Sequence, residues 1–587
     1  MPNKLSQFWQ ELKRRNVVRV ITVYAGAAFV IIELTNNITE PLRLPEWTPT
    51  LVIVLLAIGF PVVIIFSWIY DVHPEGGMIK TEPVDKVREQ EKPTSSNSWK
   101  IASYISFVVI VGLIVLNVIP RTGRKENLEK SIAILQVRNL GGDPGQDPIC
   151  AGLTSEIISQ LAKIKSFDKI VPFQSVMSIE PGMNAPEIAE KFGVNYILGI
   201  NYLKVGDQFS LNFSLIEPRE NNTIWQDDVE RKYEEIISIN KEIALGIAKK
   251  LNAYISKDEE RLIENVSTTQ NLEAYELYQS IAYQFYTKFN TGYPYKDSLL
   301  KVTELDPDWA EPWALMATVS IFQSVGAPLP GFNRMDAIEY NQKAWAIDPE
   351  NLTVFLNQSL IEQCWNWNYV AAEDNYLKAF KIAPNTTDSI LISNYISFLF
   401  WMNRYEEIPP WFSRMSKRHA IEMDVYAALG QQEKAEAAIQ GLIEEGNIWP
   451  VARYYIWRGE YERAKALDIT YSLQNRFSLR EIGLYAELCV LRTMTGDISE
   501  AEGLIKFAES WDNAIGKFIL ARYYSAIGDT ESAFKYLLQA YDGKFFGMFM
   551  LKADPLFDNI REDDRFRDLY AKVGLKDYDD YMARRKD

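Results

Sequence analysis

The sequence predicts a multidomain chain that consists of N-terminal transmembrane α-helices, a small α/β domain and an all-α solenoid of helical repeats. Three observations lead to this fold class. Long apolar runs crowd into the first 120 residues, strand and helix patterns alternate from residue 130, and small residues recur at fixed offsets beyond residue 271. A chain of 587 residues, 47% of them hydrophobic, is long enough to form more than one buried core.

A membrane anchor with three transmembrane helices is predicted over residues 17–120. A helix needs about 20 apolar residues to cross a hydrocarbon core of roughly 30 Å. Arg19 and Glu33 bound the first run closely, and if that run only dips into the bilayer the topology inverts. The three apolar runs are residues 17–34, 51–70 and 101–119.

Basic flanks predict the orientation of this anchor. Lys and Arg concentrate on the cytoplasmic side of a membrane, and here they cluster before the first run and after the second. The C-terminal domains are then predicted to be periplasmic, in a multi-pass protein of the bacterial inner membrane, although Arg121, Arg124 and Lys125 favour the opposite side. Residues 1–16 are predicted to form a cytoplasmic amphipathic leader, because their apolar residues recur at helical spacing.

The small α/β domain is predicted over residues 130–256. The segments SIAILQV and NYILGINYLKV are typical of buried strands, and LTSEIISQLAKI is typical of a helix. Gly206 and Asp207 predict a tight hairpin turn. The loop GGDPGQD lacks the residues of a phosphate-binding loop and the carboxylate spacing of a calcium loop, so we expect a structural turn there.

The same region resembles the TolB-like (FlgO-type) amino-terminal domain. The resemblance lies in KSIAILQVRNLGGDPGQDPICAGLTSEIISQLAKI and in IAEKFGVNYILGINYLKVGDQFSLNFSLIEP. Upstream, FWQELKRRNVVRVITVYAGAAFVIIEL and IYDVHPEGG resemble the anchor of bacterial membrane proteins that carry this domain before tetratricopeptide repeats. Val137, Arg138, Cys150 and Ala151 depart from the family pattern, so the resemblance implies the fold but no ligand at that loop.

Small residues at fixed offsets predict a helical-repeat solenoid with a C-terminal cap over residues 271–575. The pattern resembles tetratricopeptide repeats, which implies stacked antiparallel helix pairs with a concave binding surface. In one phase Ala337, Ala344 and Pro349 recur as Ala372, Ala379 and Pro384. In the other phase Ala follows Gly by five positions, at Gly430 and Ala435, Gly459 and Ala464, Gly496 and Ala501, and Gly528 and Ala533.

A partner-binding groove is predicted on the inner helix of one repeat. If residues 352–364 form that helix, Val354, Asn357 and Ile361 share its concave face. The amide of Asn357 suits a peptide backbone, because it offers a donor and an acceptor together. The alternative for Asn357 is a solvated or capping amide. The predicted partner is a protein or peptide.

Composition argues against several functions. With 62 basic and 78 acidic residues the formal net charge is −16, so nucleic acid is not an expected partner. The two histidines and three separated cysteines match no metal or redox spacing, and catalytic motifs are missing. The sequence therefore predicts a protein that is not an enzyme and has no cofactor or metal.

Two functions remain open from the sequence. The first is a membrane-anchored extracytoplasmic scaffold or adaptor that binds protein or peptide partners through its repeats. The alternative is a sensory or regulatory subunit of a signalling system that acts with a separate cyclase or transcription regulator. The oligomeric state stays open in both.

Overall fold

A computed structural model describes residues 17–39, 48–73, 77–80, 129–180, 182–220, 222–265, 268–288, 294–326, 334–415, 418–467, 479–511 and 513–586. The chain forms two compact units, Met1–Glu126 and Asn127–Asp587. Helices dominate the described residues, and the second unit also contains a small mixed sheet.

The described part of the first unit consists of two helices and a hairpin. Helix α1 covers Val17–Thr39, helix α2 covers Thr48–Ile69, and strands β1 (Tyr70–His73) and β2 (Gly77–Lys80) pair antiparallel. The helices approach closely at Gly59, where a Cβ atom would lie 2.6 Å from the Tyr24 hydroxyl. That hydroxyl donates to the Leu56 carbonyl at 2.7 Å.

The predicted transmembrane helices are wrong. Among the described residues, no helix has both the length and the apolar character needed to cross a membrane. In α1, the uncharged stretch between Arg19 and Glu33 extends only about 20 Å. This stretch falls short of a hydrocarbon core of roughly 30 Å.

The predicted location depended on those helices and is corrected with them. A multi-pass protein of the bacterial inner membrane with periplasmic C-terminal domains is not supported. The predicted leader at 1–16 and the third apolar run at 101–119 lie outside the described residues.

A mixed sheet forms the centre of the α/β domain in the second unit. Its strands are β3 (Ser131–Ile134), β4 (Arg138–Asn139), β5 (Lys169–Ile170), β6 (Tyr196–Val205), β7 (Gln208–Glu217) and β8 (Asn222–Lys232). The order is β5-β3-β6-β7-β8, with β4 paired to β6. Strand β3 runs parallel to β5 and β6, whereas β6, β7 and β8 are antiparallel neighbours. Gly206, with a φ of +62°, makes the predicted turn between β6 and β7.

Helices lie between the strands of this sheet and after its last strand. They are α3 (Asp147–Ala162), α4 (Phe173–Met177), α5 (Ala185–Phe192), α6 (Ile239–Lys250) and α7 (Lys257–Glu264). Ile134 and Leu198 from the sheet share one core with Ile157 of α3 and Ile247 of α6. Asp143 caps the turn before α3 by accepting from the Gly145 amide at 2.9 Å, as the predicted structural turn requires.

The chain from residue 272 onward is helical in its described parts. The helices are α8 (Leu272–Tyr283), α9 (Tyr295–Leu305), α10 (Ala310–Gly326), α11 (Arg334–Ile347), α12 (Leu352–Ile361), α13 (Tyr369–Ile382), α14 (Ser389–Trp401), α15 (Pro409–Phe412), α16 (Glu422–Ala428), α17 (Gln432–Glu444), α18 (Ile448–Trp457), α19 (Tyr461–Lys465), α20 (Leu479–Met494), α21 (Ile498–Ser510), α22 (Ala514–Ala526), α23 (Thr530–Asp542), α24 (Asp564–Lys572) and α25 (Leu575–Lys586). Successive helices such as α10 and α11, or α22 and α23, pack against each other as pairs.

The recurring small residues lie where the helices of a pair meet or turn. The alanines of the repeat pattern are buried, and Ala337, Ala372 and Ala533 have no exposed surface. Gly430, Gly459, Gly496 and Gly528 follow the first helix of their pairs with φ angles between +70° and +85°. An L-residue with a Cβ rarely adopts this backbone conformation, which explains why glycine recurs at the turns. The tetratricopeptide resemblance itself stays a prediction.

The C-terminal segment, residues 545–586, folds back onto earlier helices. On α25, the Tyr578 hydroxyl donates to Glu373 Oε2 of α13 at 2.8 Å and accepts from the Arg404 guanidinium at 2.8 Å. The Phe549 ring lies 6.1 Å from the Trp401 ring of α14. The segment therefore contacts helices from the middle of the array, besides following its last pair.

Candidate functional site

A cavity of about 290 Å³ lies where the α/β domain meets the first helix pairs. Helix α3 forms one wall, α8 forms another, and the N-terminal ends of α10, α12 and α14 complete it. Asn385, which precedes α14, donates through its side chain to the carbonyls of Ile164 at 2.8 Å and Phe167 at 2.9 Å. We call this space the junction cavity, because both domains build it.

Glu156 of α3 carries a carboxylate to the junction cavity. Its oxygens accept hydrogen bonds from Gln279 at 2.7 Å, Asn240 at 2.5 Å and the Tyr275 hydroxyl at 3.3 Å. Burial raises the pKa of Glu156 to about 7, although these hydrogen bonds oppose the rise. All three donors are neutral groups. They form hydrogen bonds with the carboxylate oxygens but do not neutralise the charge of an ionised Glu156.

Gly152 of α3 makes room for this arrangement. A Cβ atom at position 152 would overlap the side-chain amide of Gln279. Because residue 152 has no side chain, Gln279 of α8 lies across α3 and reaches Glu156, one helical turn further along. The missing side chain at Gly152 therefore allows α8 of the repeats to pack closely against α3 of the α/β domain.

Glu311 brings a second carboxylate to the junction cavity from the helical repeats. It lies in the first turn of α10, and its Oε2 atom is buried without a hydrogen-bond partner. Burial raises the pKa of Glu311 to about 8, and the nearby Asp348 and Glu156 also raise it, whereas a hydrogen bond from its own backbone and the nearby Lys163 lower it. A buried acceptor without a donor is costly, so Glu311 marks an unsatisfied position in the wall.

Lys163 places one cation at the same cavity, at the end of α3. Its Nζ atom donates to Gln160 Oε1 at 3.0 Å and to the Leu262 carbonyl at 2.9 Å. Burial lowers the pKa of Lys163 to about 8, while Asp348 and Glu311 oppose the decrease. The ammonium is therefore held by neighbours in the α/β domain.

Aromatic rings form an apolar part of the cavity wall. The Tyr278 ring lies 4.7 Å from the Trp309 ring in an edge-to-face arrangement, and the Tyr275 ring lies 6.4 Å from Trp309 in a stacked one. Burial raises the pKa of both phenols well above 10, so they stay neutral. These rings connect the first and second helix pairs.

The other carboxylates at the cavity have local structural roles. Asp348 accepts from the Glu350 amide at 3.0 Å, and Glu350 pairs with Arg261 at 2.8 Å. Asp388 caps α14 by accepting from the amides of Ile390 and Leu391. Within the described ranges, no group of three or more His, Cys, Asp or Glu side chains is arranged to hold a metal ion.

The residues of the predicted groove lie elsewhere, between α10 and α12. Val354 and Asn357 have no exposed surface, and Ile361 is 2% exposed. Asn357 donates through Nδ2 to the Ala314 carbonyl at 2.9 Å and accepts from the Thr318 hydroxyl at 2.9 Å. The structure thus places these three side chains in interhelical packing, and their role in partner binding stays a prediction.

Sequence reasoning missed Glu156 and Glu311. Glutamates on repeat helices are usually solvated, so the sequence carries no signal for Glu311. Glu156 has a weak signal, because it interrupts the apolar face of α3 beside Ile157 and follows Gly152 by one turn. The cavity forms only when α3 packs against α8. No local sequence pattern predicts that contact.

No family model matches the chain. A stretch of 193 residues is 24% identical to a protein of Rhizobium meliloti (strain 1021) named "Putative adenylate cyclase 3". The match covers 32% of this chain and 32% of that protein. The chain is therefore similar to about a third of the length of this relative.

Proposed function

We propose that the chain is a regulatory protein of a signalling system that senses a small ligand in the junction cavity. In this proposal a TolB-like domain and tetratricopeptide-type repeats hold the ligand between them, and a separate signalling protein responds. The observation that carries the proposal is the pair Glu156 and Glu311. One carboxylate comes from each domain, both have raised pKa values through burial, and both line one cavity.

The position of the cavity supports sensing because it lies between two domains. A ligand shifts a conformational equilibrium only if it binds one arrangement more tightly than another. A ligand that contacts α3 and α10 together favours the arrangement in which these helices are close. Binding energy at the cavity is thereby coupled to the relative position of the α/β domain and the repeats.

The partial relative supports a signalling context. That protein is named "Putative adenylate cyclase 3", and about a third of its length resembles this chain. We propose that the present chain acts with a separate cyclase or transcription regulator and is not itself an enzyme.

Affinity capture of the full chain from its native host tests this function. We expect a nucleotide cyclase or a transcription regulator among the captured proteins, in amounts that differ between the wild type and Glu311→Gln. The exposed Glu304 of α9 offers a matched control, because Glu304→Gln removes a charge away from the cavity. Capture without any signalling protein, or equal capture by all three forms, would contradict the proposal.

The second candidate is a scaffold whose repeats bind a protein or peptide. The consecutive helix pairs with recurring buried alanines favour it, since stacked pairs present extended surfaces. The same capture experiment separates the two candidates. Partners without a signalling role, recovered equally by the wild type and Glu311→Gln, would support the scaffold.

A further inference from the structure

We infer that the junction cavity binds an organic cation, namely a protonated amine attached to an apolar or aromatic body. This inference rests on the proposed sensing function and gives the chemical class of the ligand. It follows from the carboxylates of Glu156 and Glu311, which accept no hydrogen bond from a charged donor, from the aromatic wall and from the size of the cavity.

The unmatched carboxylates favour a positive ligand group. Glu311 Oε2 has no hydrogen-bond partner, and Glu156 accepts only from neutral donors. An ammonium group donates up to three hydrogen bonds and makes charge-assisted contacts that are stronger than neutral ones. A ligand ammonium placed at Glu311 would donate to the buried oxygen and favour the ionised carboxylate, whose charge it would compensate.

Lys163 and Lys241 lie near enough to favour the ionised form of these carboxylates, but no lysine donates a hydrogen bond to Glu311 Oε2. Lys163 Nζ is held by Gln160 and the Leu262 carbonyl, and Lys241 Nζ donates to the Glu264 carbonyl at 2.9 Å. Of the remaining wall carboxylates, Glu350 pairs with Arg261, and Asp348 and Asp388 accept from backbone amides. Glu311 is thus the carboxylate of this wall whose buried oxygen is left for a ligand.

The aromatic wall suits the rest of such a ligand. Tyr275, Tyr278 and Trp309 lie together beside the carboxylates. Aromatic faces attract cations and pack against apolar groups. The volume of about 290 Å³ is at the small end of known ligand pockets and suits a compact amine.

Isothermal titration calorimetry on the full chain tests the ligand class. The probes are phenethylamine and putrescine, and their neutral counterparts are 2-phenylethanol and 1,4-butanediol. We expect one-to-one binding of at least one amine, about tenfold or more tighter than its alcohol, because the alcohol makes no charge-assisted contact. This comparison uses the wild-type protein and depends on no variant.

Variants then locate the binding. Glu311→Gln should weaken the amine by about tenfold or more, whereas Glu304→Gln on the exposed face of α9 should leave it unchanged. The inference is overturned if neither amine binds, if an alcohol binds as tightly as its amine, or if a folded Glu311→Gln protein binds the amine as the wild type does.

The two proposals fail in different ways. A captured signalling protein together with absent amine binding would overturn the ligand class alone. Amine binding that depends on Glu311, in a chain that captures no signalling protein, would overturn the sensing function alone.

Discussion

Glu311 is the residue whose ionisation the structure ties most directly to stability. Burial raises its pKa to about 8, from an ordinary value of 4.5. The folded state therefore binds the proton more tightly than the unfolded state, so the free energy of unfolding decreases as pH rises from about 4.5 to about 8. Glu156, whose pKa is raised to about 7, contributes in the same direction.

Glutamine does not titrate. We therefore expect the free energy of unfolding to fall less between pH 5 and pH 8.5 in Glu311→Gln than in the wild type, by about 1–3 kcal/mol. Urea unfolding at both pH values measures this difference. Glu304→Gln, on the exposed face of α9, should keep the wild-type dependence. An unchanged pH dependence in Glu311→Gln would mean that this carboxyl is not buried as described.

A second residue-scale prediction concerns Gly152. Gly152→Ala places a Cβ atom against the Gln279 amide and displaces it from Glu156, which should destabilise the protein by about 1–3 kcal/mol. Gly503 is the control, because it also lies in a helix but has open space around it. Gly503→Ala should stabilise by about 0.5–1 kcal/mol. Equal melting temperatures for the two variants would contradict the close approach of α3 and α8.

The sequence predicts the role of a residue well where local backbone conformation determines it. It predicts the role poorly where the packing of distant elements determines it. Gly206 was predicted in a turn and has a positive φ, because a two-residue hairpin demands it. Asn357 lies on α12, and its side chain faces α10 and donates to the Ala314 carbonyl. Which neighbour a helix faces depends on how pairs stack, and the sequence of one helix does not contain that information.

At the scale of the helix pair, Ala372 gives the sharpest test. It is fully buried on α13, whereas Leu377 of the same helix is 40% exposed. Ala372→Trp should destabilise by about 1–3 kcal/mol or more, because a closely packed position cannot take a large ring without strain. Leu377→Trp should change the melting temperature little. Similar effects of both variants would show that the helix faces are assigned wrongly.

Three elements depart from regular helix pairs, and the alanine and glycine pattern does not predict them. Helix α8 continues as a π-helix over Gln284–Lys288, and α12 does so over Glu362–Asn366. The short α15 also departs from the regular repeat. The junction cavity lies beside the first of these elements, whose residues Tyr286 and Thr287 line it.

At the scale of the whole molecule, the C-terminal segment closes back on the array. Tyr578 is 1% exposed and bonds both Glu373 and Arg404. Tyr578→Phe keeps the ring but removes both hydrogen bonds, so we expect a loss of about 1–3 kcal/mol. Tyr581→Phe, one turn further on the same helix, is the matched control. A wild-type melting temperature for Tyr578→Phe would contradict this docking.

The N-terminal prediction shows the limit of apolar runs as evidence. A run indicates an apolar helix, and α1 and α2 are helices, but among the described residues no helix is both long and apolar enough to cross a membrane. The small sheet and the helical array were predictable because their patterns repeat over many residues. The cavity between them was not, because Glu156 and Glu311 are far apart in sequence and converge only through tertiary packing.

The central claim is that a ligand in the junction cavity acts on the α/β domain and the repeats together. Hydrogen–deuterium exchange of the full chain, with and without phenethylamine, tests it most directly. We predict increased protection in both α3 and the first turns of α10, and no such change in Glu311→Gln. Protection confined to one domain, or protection that persists in Glu311→Gln, would contradict the claim.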